Sequence, residues 1–348
     1  MVERSMPLPH QPAPHAGPAA SRRTASARWP HRRAYAALDL GTNNCRLLIA
    51  KPEGDGFVVI DAFSRIVRLG EGLAATGRLS EAAIDRAIAA LTICADKLRR
   101  RHVTLARSVA TEACRQAVNG QAFIDRVYRE TGIALDIISA EEEARLAVMG
   151  CHALLEPGDG PALIFDIGGG STELVLIDTR EGHPHIRDWL SAPWGVVSLT
   201  ESEPVAEDSD AARLDAYARM KRRVSDSFAR FAERLPLGEM EGIRLLGTSG
   251  TVTTLASLHL GLTSYDRSAI DGLIVPAQAM QQISTSLSRM SIEERQRQPC
   301  IGVERADLVV AGCAILEAII DIWPAERLGV ADRGIREGIL RLLMARDK

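Results

Sequence analysis

The sequence predicts an α/β protein made of two related lobes with a cleft between them. The first observation is an internal repeat, in which residues 37–50 and residues 164–177 align at an offset of 127 positions and Asp39 falls on Asp166. Each copy reads as an apolar strand, an Asp, a Gly-rich turn and a second apolar strand. The second observation is that strands followed by crossover helices occur twice along the chain. A repeat of this period indicates duplicated lobes, because solenoid repeats are far shorter.

The first lobe is predicted over residues 34–156. Ser80 is expected to cap its long helix, because a serine hydroxyl can accept a hydrogen bond from a free N–H of the first turn. Apolar residues at helical spacing after it predict one buried face. The predicted elements are strands at 34–41, 45–51 and 57–68, a helix from Ser80 to about Arg101, a strand near 104–110, two short helices, a strand at 134–139 and a helix at 140–153.

The second lobe is predicted over residues 157–348, after a linker rich in Pro and Gly at 156–161. It repeats the strand-turn-strand pattern of the first lobe. The sequence leaves open whether its last helix packs back on the first lobe. The further elements predicted are a strand at 186–192, a helix over about 208–235, a strand at 243–247, and helices from Val252 to Leu260, near 305–322 and near 333–345.

Residues 1–33 differ in composition from the rest of the chain. They contain six prolines and six arginines against one acidic residue, which predicts a disordered basic tail. Its role stays open. The whole chain carries −3 and the tail contributes +5, so −8 remains for the two lobes. A net-acidic body does not attract polyanions in general, so a phosphate substrate would have to be held locally, by arginines, backbone N–H groups and a divalent cation.

The composition excludes several classes of protein. The six cysteines are scattered without a C-x-x-C pair, which argues against a disulfide framework or a zinc site and predicts reduced thiols in the cytoplasm. No apolar run is long enough to cross a membrane, so no membrane association is expected. Aromatic residues make up 4% of the chain, too few for base stacking to dominate recognition, so no sequence-specific nucleic-acid partner is predicted.

Three Gly-rich turns are candidate anion sites, because such turns expose consecutive backbone N–H groups. Two of them follow an Asp at a strand end, and the third precedes the start of a helix, where anions commonly bind. Each turn alone is more typical of a plain hairpin, but three in one chain favour phosphate binding. The predicted phosphate-binding residues are Gly41, Thr42, Asn43, Gly168, Gly169, Gly170, Ser171, Thr172, Gly247, Ser249 and Gly250.

Six segments follow one another in a recognisable order: Asp39–Asn43, Ala110–Ala117, Ser139–Leu146, Asp166–Leu174, Gly247–Thr251 and Ala331–Gly338. Together they resemble the exopolyphosphatase and guanosine pentaphosphate phosphatase (Ppx/GppA) family, in its short two-domain form, over about residues 34–345. The resemblance implies the actin-like ATPase-superfamily (ribonuclease H-like) fold of two duplicated α/β lobes, which agrees with the internal repeat. It also implies a Mg²⁺-dependent phosphohydrolase and a homodimer.

Glu143 is the candidate general base. It lies in the first turn of the helix predicted at 140–153, whose later residues are mostly small or apolar, so the helix should be buried with its N-terminus towards the cleft. The helix dipole favours an ionised carboxylate at that end, and an ionised Glu can orient and deprotonate a water. Composition alone favours a solvated acidic patch at 141–143. The resemblance implies that Glu143 matches the catalytic Glu of the family.

Three further carboxylates are candidates for the same site. Glu173 is either an outward-facing strand residue or a second catalytic carboxylate that positions the water or Mg²⁺, and the resemblance supports the second interpretation. Asp39 and Asp166, at strand ends, suit a hydrated Mg²⁺, which keeps several waters. Each could equally cap its own turn. The predicted metal ligands are therefore Asp39, Asp166 and Glu173.

Arg115 is the candidate for stabilising the transition state. A guanidinium binds phosphate oxygens in pairs and stays charged at any working pH. The resemblance implies the same role, since Arg115 matches the Arg of a Thr-x-x-x-Arg-Gln-Ala segment of the family. Weaker candidates for holding distal phosphates, equally consistent with surface arginines, are Arg46, Arg65, Arg68 and Arg267.

The predicted activity is release of terminal orthophosphate from inorganic polyphosphate, with Glu143 activating the water. Polyphosphate is favoured because the short architecture lacks extra surface for a guanosine base and the chain has few aromatic residues. Hydrolysis of guanosine pentaphosphate is the alternative within the family. From a different class, the same fold supports an ATP-binding kinase or scaffold, although no motif indicates the acceptor pocket that a kinase would need.

Overall fold

A computed structural model describes residues 33–158, 160–179, 184–204, 209–235 and 242–347. Except for Arg33, the tail predicted at 1–33 lies outside these residues. Among the described residues, no helix has the length and apolar character needed to span a membrane.

The first sheet has five strands in the order β3-β2-β1-β4-β5. Strand β1 pairs antiparallel with β2 and parallel with β4, and β2 pairs antiparallel with β3. The strands are β1 Ala34–Leu40, β2 Asn44–Glu53, β3 Gly56–Ile66, β4 Val103–Ala110 and β5 Asp136–Ile137. The helices that follow them are α1 Leu73–Thr76, α2 Glu81–Arg100, α3 Glu112–Gln116, α4 Gly120–Thr131 and α5 Ala140–Cys151.

The second sheet has six strands in the order β10-β11-β9-β6-β7-β8. They are β6 Pro161–Ile167, β7 Thr172–Asp178, β8 His185–Ala192, β9 Arg244–Thr248, β10 Ile274–Pro276 and β11 Arg327–Ala331. The helices of this part are α6 Val196–Ser202, α7 Asp210–Glu233, α8 Gly250–His259, α9 Arg267–Ile270, α10 Ala277–Arg289, α11 Ile292–Gln296, α12 Val309–Ile322 and α13 Ile335–Arg346.

Several predicted boundaries are wrong by a few residues. Strand β3 ends at Ile66 rather than at residue 68, because Val67 and Arg68 turn away and donate their N–H groups to the carbonyl of Asn43 at 2.8 and 3.1 Å. The helix predicted near 305–322 begins only at Val309. The cap predicted at Ser80 is present, with its Oγ 3.2 Å from the N–H of Ala83.

The internal repeat is visible as two equivalent hairpins. Asp39 lies directly across from Arg46 in the β1–β2 pair, and Asp166 lies directly across from Glu173 in the β6–β7 pair. Both turns are closed by an equivalent backbone hydrogen bond. The N–H of Gly41 donates to the carbonyl of Asn44 at 2.9 Å, and the N–H of Gly168 donates to the carbonyl of Ser171 at 2.9 Å. The repeat therefore places two acids and two Gly-rich turns in matching positions.

Helix α5 lies between the two sheets. Leu146 and Ala147 of α5 pack against the first sheet, whereas Ala144 and Val148 of the same helix pack against the second. Helix α13 follows the last strand of the second sheet, yet it packs on β1 and on α5. Because α5 is covered on both sides, its first turn, which carries Glu143, lies where the lobes meet.

Candidate active site

The Gly-rich turns of the two hairpins touch each other. A Cβ atom at Gly169 would lie 2.9 Å from Cβ of Thr42, and one at Gly170 would lie 2.7 Å from its hydroxyl oxygen. Real Cβ atoms do not approach so closely, so a side chain at either glycine would push the turns apart. Glycine at these positions therefore lets both turns border one site.

Helix α6 fixes the orientation of the second turn. The N–H groups of Val196 and Val197 donate to the carbonyls of Gly168 and Gly169, at 2.9 and 2.8 Å. In a trans peptide the N–H points opposite to the carbonyl, so the N–H groups of Gly169 and Gly170 point away from α6. Oriented N–H groups in consecutive peptides are the arrangement that binds anions.

The third Gly-rich turn completes the wall on the side of the second lobe. Ser249 caps α8, with its Oγ 3.1 Å from the N–H of Val252. A Cβ at Gly250 would lie 3.9 Å from the guanidinium of Arg46, so this arginine reaches from the first lobe to the second. The start of α8 and Arg46 both favour an anion between them.

These turns enclose a cavity of about 140 Å³ between the lobes. This is well above the volume of about 10–15 Å³ that a single water needs, so the cavity has room for several waters or for phosphate groups that displace them. The predicted site residues that line it are Asp39, Gly41, Thr42, Asn43, Glu143, Asp166, Gly168, Gly169, Gly170, Ser171, Glu173, Ser249 and Gly250. The side-chain oxygen of Asn43 is buried and has no hydrogen-bond partner in the described part of the chain, so a ligand donor could satisfy it.

Three predicted site residues do not line this cavity. The hydroxyl of Thr172 is turned inward and donates to the carbonyl of Trp194 at 2.7 Å. Gly247 packs in the core of the second lobe, where a Cβ would lie 2.6 Å from the ring of Phe165. Arg115 lies behind Glu143 and contacts the cavity only through that residue and Glu112.

Glu143 is buried and held by Arg115. Its carboxylate accepts a hydrogen bond from Nη1 of Arg115 at 3.1 Å, and the same nitrogen donates to the carbonyl of Ile138 at 2.8 Å. The second guanidinium nitrogen of Arg115 pairs with Glu112. Burial and the negative charge of Glu173 raise the pKa of Glu143 well above its usual value, and the Arg115 charge opposes this. A carboxylate poised between these influences is typical of catalytic sites.

Glu173 is oriented by two hydroxyl groups. Its Oε1 accepts hydrogen bonds from Ser171 at 2.7 Å and from Ser191 at 2.8 Å. Burial raises the pKa of Glu173, and these two hydrogen bonds oppose the change. A carboxylate that is both buried and fixed in this way can hold a water or a cation in a defined place.

The two aspartates of the repeat share the same cluster of negative charge. Burial, together with the charge of Glu173, raises the pKa of Asp166 to about 8, and Arg46 opposes the change. Burial also raises the pKa of Asp39, against the charges of Arg46 and Arg336. Several carboxylates that raise one another's pKa would be stabilised in their ionised form by a cation.

The donor set fits Mg²⁺ as the cation. Among the described residues that line the cavity there is no His or Cys, so the ligands on offer are oxygen atoms, which a hard cation prefers. Oδ1 of Asp39 is buried without a hydrogen-bond partner in the described residues. Within the same residues, no three His, Cys, Asp or Glu side chains are grouped to hold a metal by themselves. Mg²⁺ would therefore be held by one or two carboxylates, with waters and substrate oxygens as the remaining ligands.

Sequence reasoning missed part of the cavity wall. Thr254 lies one turn into α8, and helical spacing from Gly250 could have indicated it. Arg305, Leu308 and Val309 also line the cavity, but they come from the segment before α12 and its first residue, which are distant in sequence and carry no motif. Nη1 of Arg305 lies 3.4 Å from the hydroxyl of Thr254. Arg305 of the second lobe therefore borders the cavity together with Arg46 of the first lobe.

Comparison with known proteins decides the family. The model of the Ppx/GppA phosphatase family matches residues 48–346. The chain belongs to this family. It is 33% identical over 319 residues to the protein named exopolyphosphatase 2 of Mycobacterium tuberculosis, covering 87% of this chain and 96% of that protein. It is 27% identical to the guanosine-5'-triphosphate,3'-diphosphate pyrophosphatase of Aeromonas salmonicida, but spans only 60% of that protein.

Solved structures of Ppx/GppA proteins have the same fold. The Aquifex aeolicus family member is 27% identical with a TM-score of 0.72, covering 91% of this chain and 99% of that one. An exopolyphosphatase from Cytophaga hutchinsonii, 24% identical, has a TM-score of 0.80 over 90% of this chain and 98% of its own. The predicted actin-like ATPase-superfamily fold is thereby confirmed, and the chain is an enzyme of a phosphohydrolase family.

Proposed function

We propose that this Ppx/GppA family member is an exopolyphosphatase, which releases the terminal orthophosphate of inorganic polyphosphate by attack of a water activated by Glu143. The observation that carries the proposal is the position of Glu143, a buried carboxylate 3.1 Å from Arg115 in a cavity bordered by Gly-rich turns of both lobes. Phosphoanhydride hydrolysis needs a base beside the attacking water and donors for the phosphate oxygens. The residue types around the cavity match both needs.

Glu143 acts as the base in this proposal. It accepts a proton from the water while the water oxygen bonds to the terminal phosphorus and the bridging P–O bond breaks. The shortened polyphosphate leaves with the electron pair of that bond. Because only an ionised carboxylate can take the proton, Arg115 has the task of keeping Glu143 ionised against the effect of burial. This role differs from direct contact with the phosphate, since Arg115 lies behind Glu143.

The proposed substrate contacts follow from the cavity wall. The N–H groups of Thr42, Asn43, Gly169 and Gly170, the start of α8 and the guanidinium of Arg46 would bind phosphate oxygens. Bound Mg²⁺ supplies positive charge that offsets the charge of the phosphate chain. Asp39, Asp166 and Glu173 are its proposed ligands, directly or through water, and Ser171 and Ser191 keep Glu173 in place.

Two observations favour polyphosphate over guanosine pentaphosphate. The relative named exopolyphosphatase 2 is matched over 96% of its length, whereas the relative named as a pyrophosphatase of the guanosine compound is matched over 60%. Of the described residues that line the cavity, none is aromatic, so no ring is available for stacking on a guanine. A homodimer and a cytoplasmic location stay predictions.

The test is phosphate release by the purified protein with Mg²⁺, measured side by side on long-chain polyphosphate, guanosine pentaphosphate and ATP. We expect kcat/KM to be highest on polyphosphate and to fall when EDTA removes Mg²⁺. Phosphate release from guanosine pentaphosphate alone would contradict polyphosphate as the substrate, but it would agree with the chain's membership of the Ppx/GppA family. Tight ATP binding without release from any of the three would instead favour the kinase or scaffold alternative.

A further inference from the structure

A loop at residues 67–72 joins the two lobes at the cleft, and we call it the strut. It follows β3, leads into α1, and lines no part of the cavity among the described residues. Its backbone and side chains make hydrogen bonds in both directions, to the phosphate-binding turn of the first lobe and to two segments of the second. The strut therefore links the second lobe to the phosphate-binding turn of the first lobe.

On the side of the first lobe, the strut rests on the turn at 41–43. The N–H groups of Val67 and Arg68 both donate to the carbonyl of Asn43, at 2.8 and 3.1 Å. The N–H of Gly70 donates to the carbonyl of Thr42 at 2.9 Å. Both Thr42 and Asn43 line the cavity. Any displacement of the strut is thus transmitted to two residues of the candidate phosphate site by backbone hydrogen bonds.

Arg86 of α2 holds the strut from behind. Its Nε donates to the carbonyl of Val67 at 2.9 Å, and its Nη2 donates to the carbonyl of Arg68 at 3.2 Å and to Glu71 at 2.6 Å. Arg68 has φ of +47°, a left-handed conformation that is uncommon for residues other than glycine. The flanking hydrogen bonds hold this residue in a conformation that it would otherwise rarely adopt.

On the other side, the strut reaches the second lobe at two points. Nη1 of Arg68 pairs with Asp307 at 2.9 Å, and Nη2 lies 3.3 Å from the carbonyl of Glu304. The N–H of Gly72 donates to the carboxylate of Glu201 in α6 at 2.9 Å. Asp307 belongs to the loop that carries Arg305 and Leu308 of the cavity wall. Both ends of the strut are therefore attached to segments that line the site.

We propose that Arg68 is a positioning residue, which couples approach of the two lobes to the conformation of the phosphate-binding turn at Thr42 and Asn43. The Arg68–Asp307 pair and the Gly72–Glu201 hydrogen bond stabilise the arrangement in which the three Gly-rich turns border one cavity. Arg68 acts through the turn and not through contact with substrate, since it does not line the cavity. The kinetic part of this proposal rests on the proposed hydrolase function.

The kinetic effect follows from the population of the binding-competent arrangement. If only that arrangement binds substrate, the apparent dissociation constant rises as its population falls. Loss of Arg68 should therefore raise KM and leave kcat nearly unchanged, because bound enzyme is already in the competent form. Both side chains of the pair are about one-third exposed, at 35% and 32%. Loss of one such pair changes the equilibrium constant between the two arrangements by roughly 1.5- to 5-fold, and this factor is the largest increase in KM that can follow.

The kinetic experiment compares the wild type with three variants. Two are the single variants Arg68→Ala and Asp307→Ala, and the third is a double variant in which the pair is exchanged, Arg68→Asp together with Asp307→Arg. We expect KM to increase by up to about 5-fold in each single variant and to recover towards the wild type in the exchanged pair. Arg126→Ala is the matched control, because Arg126 makes its ion pairs within the first lobe. At 1 M salt, where screening acts over about 3 Å, the ratio of Arg68→Ala to wild type should approach one. A fall in kcat without a KM change, or no recovery in the exchanged pair, would overturn the proposal.

A distance measurement tests the strut without any catalysis. Spin labels at Tyr128→Cys in the first lobe and Leu260→Cys in the second occupy exposed positions, in a Cys300→Ser background because the other cysteines are buried. We expect a longer or broader distribution between the labels when Arg68→Ala and Glu201→Ala are combined, with no substrate present. An unchanged distribution would contradict the strut. If this distribution changes but no phosphate is released from any substrate, the proposed function fails while the strut stands.

Discussion

Nη1 of Arg115 lies 3.1 Å from Oε2 of Glu143, and the same nitrogen is tied to the carbonyl of Ile138 at 2.8 Å. The carbonyl holds the guanidinium in place, and the guanidinium holds the carboxylate and lowers its pKa against the effect of burial. Burial alone would favour a protonated, inactive Glu143, so this contact is central to the proposed chemistry.

Replacing Arg115 by Ala should shift the pH dependence of the activity. Arg115 lowers the pKa of Glu143, so without it that pKa rises and a higher pH is needed to ionise the base. The acidic limb of the kcat/KM profile should move to higher pH, and activity at neutral pH should fall by at least about tenfold. Arg115→Lys keeps the charge and should show a smaller shift. A profile of Arg115→Ala that falls in height at every pH without moving would contradict this role.

Mg²⁺ should stabilise the fold as well as support activity. A ligand that binds the native state alone stabilises it, by about 2.7 kcal/mol at a concentration of 100 times Kd. Tm measured by calorimetry should therefore rise with Mg²⁺ in the wild type, and the rise should be smaller in Asp166→Asn, which lacks one charge of the cluster. Asp188→Asn is the control, because Asp188 pairs with Arg234 away from the cavity. Equal increases in the wild type and Asp166→Asn would remove Asp166 from the proposed ligands.

The crossing of α5 and α13 should not tolerate a larger residue at Gly338. A Cβ there would overlap the carbonyl of Leu146, and backbone atoms cannot move aside as a flexible side chain can. Gly338→Ala should lower the free energy of unfolding by about 1–3 kcal/mol, measured by urea denaturation. Gly56→Ala is the control, because a Cβ there would lie 3.8 Å from its nearest neighbour. Equal midpoints for the two variants would show that the helices separate easily.

The part of the site that sequence could predict is the part built from local pattern. The Asp and the Gly-rich turn follow one another in each hairpin, so their position at a strand end is readable from alternation and turn composition alone. The burial of Glu143 follows from the apolar run after it. Cross-strand pairing of Asp166 with Glu173 needs only the hairpin register.

What sequence could not predict depends on contacts between distant segments. Gly247 belongs to a Gly-rich turn, yet the ring of Phe165 occupies the space beside it, so its small size serves packing. Arg305 reaches the cavity from a loop without regular structure before α12. The side chain of Arg115 is oriented by a hydrogen bond to the backbone carbonyl of Ile138. Ile138 is remote in sequence, and its apolar side chain gives no sign of this contact.

Glu143 is the proposed base, and its neighbour Glu142 offers a matched control. Glu142 lies one residue earlier in the same helical turn, but it is only half-buried and pairs with Arg107 at 2.7 Å. The most direct measurement is kcat on polyphosphate for Glu143→Gln and Glu142→Gln, with circular dichroism confirming that both fold. We expect kcat to fall by about 10²- to 10⁴-fold in Glu143→Gln and to stay near the wild-type value in Glu142→Gln. Nearly wild-type kcat in Glu143→Gln would show that Glu143 is not the base.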